Sequence, residues 1–99
     1  LLLFQAGEKH RPLLIAALLG HPDPEVRLHA GAALRRLGHP ESEKAFLKST
    51  TVDPVFEVRW FSWRALMKTT SDTARPLLTE AASRESNKER RAKLEDLLK

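Results

Sequence analysis

This 99-residue chain reads as all-α, a right-handed α-α superhelix in the form of a short solenoid of about three helix pairs. Two observations lead there. The first is a hydrophobic and charged pattern that recurs every 32 residues. Arg11-Pro12-Leu13-Leu14 returns two periods later as Arg75-Pro76-Leu77-Leu78, and Glu43-Lys44-Ala45-Phe46-Leu47 fills the matching slots between them. Val26-Arg27 matches Val58-Arg59; Arg27, Arg59 and Arg91 are evenly spaced; Ala33-Leu34 matches Ala65-Leu66 and Leu97-Leu98. The second observation is that the apolar residues inside each period fall at helical spacing, with no strand alternation. A fixed period of this size marks stacked units, each unable to bury its apolar face alone.

The elements follow in order. Residues 1–7 read as the end of a preceding repeat helix, because Leu1 and Leu2 lie one period before Ala33 and Leu34, and Gly7 is expected to cap it. With no initiator methionine, the chain reads as a fragment of a longer protein. Repeat 1 spans 8–38, repeat 2 spans 39–70 and repeat 3 spans 71–99, all in one domain. In repeat 1, Pro12 sits in the opening turn of a helix with Leu13, Leu14, Ala17 and Leu18 on one stripe, ending at Gly20. Asp23-Pro24-Glu25 then provides an N-cap, a first helical residue and a favourable charge at the positive end of the dipole, for a helix ending before Gly38. Repeat 2 is expected to hold a helix over about 41–49. Asp53-Pro54 should then cap a helix to about 69, half a turn longer than its counterpart. Repeat 3 should hold a helix over about 73–83, then a Ser86-Asn87-Lys88-Glu89 capping box opening a last helix to Lys99.

Composition narrows the function classes. Seventeen basic and thirteen acidic residues give a net charge of +4 with the signs interspersed, the balance of a soluble surface and weak evidence for nucleic acid. No stretch approaches the ~18 uncharged apolar residues of a membrane span. No secretory signal is visible, so a cytoplasmic location is the default expectation. The absence of cysteine removes disulfides and thiolate zinc sites. His10, His21 and His39 lie in turns and none pairs with another at ligand spacing on one helix. No serine lies in a glycine elbow and no glycine-rich phosphate loop is present. The expected catalytic, cofactor-binding and metal-binding sets are therefore all empty.

Asp23-Pro24-Glu25-Val26-Arg27, followed by small residues and Leu34-Arg35-Arg36-Leu37-Gly38, resembles the short HEAT-like repeat of phycobilisome lyase relatives. The second unit matches more loosely, and the third keeps Arg91 and its apolar positions. The resemblance implies that Asp23, Arg27, Asp53, Arg59 and Arg91 form a structural ladder bonded between neighbouring units. It also raises metal and bilin-lyase chemistry. However, HEAT-like metalloenzymes carry a His-Glu pair in the second helix, and here His29 is followed by Ala30, so nothing supplies that chemistry.

One helix departs from the repeat. In the middle unit, Val58, Ser62, Ala65, Leu66 and Thr69 form the core side, while Phe56, Trp60, Trp63 and Met67 make a second apolar face. The same slots hold Pro24, Leu28, Gly31 and Arg35 in the first unit, and Lys88, Ala92, Glu95 and Lys99 in the third. Second helices line the concave surface of such solenoids. Trp60, Trp63 and Met67, with Leu28, Arg35 and Arg64, are thus expected to form an apolar centre with a basic rim; the equal alternative is that the two tryptophans pack against neighbouring helices or other parts of the parent chain. The leading expectation is a non-catalytic scaffold binding a protein or peptide partner there, or the rest of the parent chain, or a second copy in a homodimer. The alternative is nucleic-acid binding by the same basic and aromatic surface, with Asp53 and Glu57 as weak candidates for an assisting carboxylate. A bilin-lyase-type component ranks third.

Overall fold

The computed structural model describes residues 7–99. The predicted end of a preceding helix at residues 1–6 lies outside them. A 3-10 turn, Gly7–His10, leads into α1 (Arg11–Gly20), α2 (Pro24–Leu37), α3 (Pro40–Val52), α4 (Phe56–Thr69), α5 (Ser71–Arg84) and α6 (Lys88–Asp96). The chain is an all-α solenoid. The helices pair as α1 with α2, α3 with α4 and α5 with α6. First helices stack α1 on α3, and second helices stack α2 on α4 on α6. Leu14, Leu18, Ala30, Ala33 and Leu34 of the first pair are buried, as are Ala45, Phe46, Val58, Ala65 and Leu66 of the second, and Ala74, Leu78, Ala82 and Leu94 of the third. Equivalent slots are thus filled from repeat to repeat, which is the packing the 32-residue period demands.

The turn between the helices of each pair is built the same way three times. The residue six before the repeated arginine is His21, Asp53 or Glu85. Its side chain accepts the backbone N–H two residues on, from Asp23 (3.0 Å), Val55 (2.9 Å) and Asn87 (3.1 Å). Its carbonyl accepts from Arg27 Nη1 (2.8 Å), Arg59 Nη1 (2.8 Å) and Arg91 Nε (2.9 Å). Each arginine therefore closes its own turn and satisfies a carbonyl that helix geometry leaves free.

Of the expected ladder, one inter-unit rung forms among the described residues. Arg27 donates from Nε to Asp53 Oδ2 (2.7 Å) and from Nη2 to Oδ1 (3.1 Å), a bidentate pair with both groups buried. Asp23 is not part of it. It is exposed and caps α2, accepting from Glu25 N–H at 2.9 Å. Arg59 and Arg91 stay within their own units.

Other boundaries also differ from expectation. Asp53 terminates α3, and Val55 precedes α4 without a side-chain cap, so α4 has the same 14 residues as α2 rather than an extra half turn. The α3 helix runs on to Val52, since Thr50 turns its hydroxyl onto Leu47 O (2.6 Å) without breaking the spiral. The α5 helix begins at Ser71, which places Pro76 inside it rather than in its opening turn. Asn87, not Ser86, caps α6 by accepting from Arg90 N–H at 3.0 Å, and the regular helix stops at Asp96.

The two aspartates should separate sharply on substitution. Asp53→Ala strands a buried guanidinium and is expected to cost about 3–5 kcal/mol, whereas Asp23→Ala removes an exposed cap worth about 1 kcal/mol. Urea unfolding followed by circular dichroism measures both; equal losses would remove the rung from its structural role.

Candidate partner-binding surface

The α4 helix is apolar on more than one side because it is the central second helix, with α2 on one flank and α6 on the other. Toward α2, Phe61 packs on Gly31, where an added Cβ would lie 3.1 Å from the ring, and its ring centroid is 6.3 Å from that of Phe46. Toward α6, cations lie against the aromatic rings, beside the buried Leu94. Arg90 lies over the Phe56 ring at 5.4 Å, with Arg59 at 5.6 Å, and Lys93 lies over Trp60 at 5.8 Å. The face formed by Phe56, Trp60, Trp63 and Met67 is therefore largely the seat of the third helix pair.

This divides the six residues expected to bind a partner. Trp63 does not belong to the exposed patch. It is 5% exposed and lies under a groove between α3 and α5, beside Leu47, Thr50, Leu77 and Ala81. Spacing had put it with Trp60, but the groove lies on the first-helix side and draws the indole away from the second-helix surface. Phe56, on the same face, is buried as well. Trp60 is half-buried. Its Nε1 donates to Lys93 O at 3.4 Å, and Arg64 approaches its ring at 5.6 Å, so cations from two helices flank one indole. Leu28, Arg35, Arg64 and Met67 are also half-buried. Met67 and Arg64 meet at a cavity of about 400 Å³ between the ends of α4 and α6.

At about 100° per residue, Glu57, Arg64 and Lys68 share one stripe of α4, and Glu25 with Arg36 the matching stripe of α2. Glu25, Glu57 and Glu89 occupy one slot in three successive units, and all are exposed. Asp53 is engaged structurally, Arg27 taking both its oxygens and the Val55 amide a second bond to Oδ1. His21 and His39 use Nδ1 to accept the amides of Asp23 (3.0 Å) and Glu41 (3.1 Å). Among the described residues, no three His, Asp or Glu side chains converge as a metal-binding group. No helix among them is long and apolar enough to cross a membrane.

Sequence reasoning missed the α3–α5 groove. Leu47 and Leu77 stand on its rim, 40% and 41% exposed, and Trp63 and Leu66 line its base. The signal available was two leucines flanking the core positions Phe46 and Leu78, but a helical wheel does not show how far apart two first helices stand.

The fold and the repeated turn define an α-α solenoid repeat protein. A family model of HEAT repeats matches residues 11–99, and the chain belongs to that family. HEAT repeats commonly serve as protein-interaction scaffolds. No curated protein and no solved structure matches the chain.

The two tryptophans should behave differently in stability measurements. Trp63→Ala empties a core site and is expected to cost about 3–5 kcal/mol, and Trp60→Ala roughly half of that or less. Thermal melts of the two variants decide it; a larger loss for Trp60 would reverse the assignment of core and surface.

Proposed function

We propose that this chain is a non-catalytic protein-interaction module that holds a protein or peptide partner on its second-helix face, centred on Trp60. The observation that carries this reading is a half-buried indole, held by a backbone carbonyl and flanked by Arg64 and Lys93. Tryptophan and arginine dominate binding hot spots, and a side chain already fixed in place loses little entropy on association. Leu28, Arg35 and Met67 extend the surface. Family membership agrees with a scaffold role.

The test uses Trp60 alone, since loss of Trp63 threatens the fold. With the chain as bait in native extract, cross-linked partners identified by mass spectrometry should fall at least tenfold for Trp60→Ala, with helical content unchanged. Trp63→Phe should capture as the native chain does. Undiminished capture by Trp60→Ala overturns the proposed face.

A further inference from the structure

The charges around Trp60 indicate what kind of partner this face takes. The cavity of about 400 Å³ beside Met67 is lined by Arg64 and Lys68 of α4, Arg75 of α5, and Leu97 and Lys99 beyond α6. Four cations thus converge from two helices and the segment after α6. The carboxylate among them, Asp96, already accepts from Lys99 Nζ at 3.2 Å. Arg75 is steadied by donating from Nη1 to Leu98 O at 2.7 Å, which leaves the rest of its guanidinium fork for an anion. Among the described residues, neither Arg64 nor Lys68 has an ion-pair partner. Met67 and Leu97 give the same cavity an apolar wall.

Arg64 joins this cavity to Trp60, since its guanidinium lies over the indole. We infer that the second-helix face recognises an acidic protein segment, whose carboxylates enter the Arg64–Lys68–Arg75 cavity while an adjacent apolar side chain covers Trp60 and Met67; this rests on the interaction-module reading above. The opposite end of the face disfavours a long polyanion. Glu25, Glu57 and Glu89 stand exposed along it, none ion-paired among the described residues, so a nucleic-acid strand crossing all three units meets a row of like charge. A short acidic segment seats at the basic end and avoids that row. Exposed ion pairs are individually weak, so recognition depends on several cations converging and on the indole beside them.

The probe is a fluorescein-labelled Glu-Glu-Leu-Glu-Glu peptide, followed by anisotropy at low salt against its Gln-Gln-Leu-Gln-Gln counterpart and an oligothymidine of equal charge. The acidic peptide should bind at least tenfold more tightly than either. R64E/K68E should weaken it at least tenfold and Trp60→Ala at least threefold, while Glu57→Lys should bring the oligonucleotide up toward the peptide. If R64E/K68E does not fold, Lys68→Gln with Arg75→Gln, both exposed, is expected to weaken the peptide at least threefold. Peptide binding unchanged in the charge variants, or oligonucleotide bound more tightly than peptide, overturns the inference. The two readings fail separately. If extract partners are lost with Trp60→Ala but kept by R64E/K68E, the interaction module stands and the acidic partner falls.

Discussion

Each helix pair in this solenoid must reverse direction within three residues, and the backbone groups freed by that reversal need partners. The arginine once per repeat meets this constraint. In all three units it reaches back six residues to a carbonyl at the turn, while the side chain of that same turn residue takes an amide two residues on. The angle between first and second helix is thereby set by hydrogen bonds that the period itself reproduces. Between the first two units the device is extended: Asp53 serves its own turn and also clamps Arg27 of the unit before, so one carboxylate fixes a turn and a stacking interface together. A buried bidentate pair adds little net stability over apolar packing, but its geometry fixes the register of one unit on the next.

The unusual composition of α4 follows from its place in the stack. Phe61 needs the missing side chain of Gly31 to approach α2, and the aromatic rings on the other flank need a partner on α6. That helix buries Leu94, with Leu97 and Leu98 partly buried just beyond it. Arg90 and Lys93 add to this, laying cations over ring faces. The third pair is thus docked by cation–ring contacts in addition to aliphatic burial. The third-unit slots that correspond to the aromatic face, Lys88, Ala92, Glu95 and Lys99, are all exposed, and none carries a large apolar side chain.

The helix count and pairing, the family and the importance of the spaced arginines were legible in the repeat. Asp53 was misread for a specific reason. It precedes a proline as Asp23 does, so the dipeptide suggested an equivalent cap, whereas counting back from the arginines aligns it with His21 and Glu85. The period held the right answer and the local motif overrode it. The aromatic helix was picked out correctly as the departure from the repeat, but a wheel drawn on one helix cannot say which neighbour meets each face. Trp63 and Trp60 are three residues apart and differ in fate because one lies under the α3–α5 groove and the other beside α6. The partner of the rings is hidden in sequence as well, because lysines and arginines interleaved with glutamates, as on α6, are ordinarily a solvated face.

The distribution of charge on the second-helix face has a structural origin before it has a functional one. Glutamate in the first turn and arginine or lysine in the last turn each favour the helix dipole, and stacking parallel second helices aligns those preferences into an acidic edge and a basic edge. A stack built for stability therefore acquires an electrical direction without further design. What the dipole does not explain is the convergence at the basic end, where Arg75 from a first helix and Lys99 from beyond α6 join Arg64 and Lys68 around one cavity next to an indole. Helix ends need only their own charges, and that surplus gives the face a preferred sign and end for a partner.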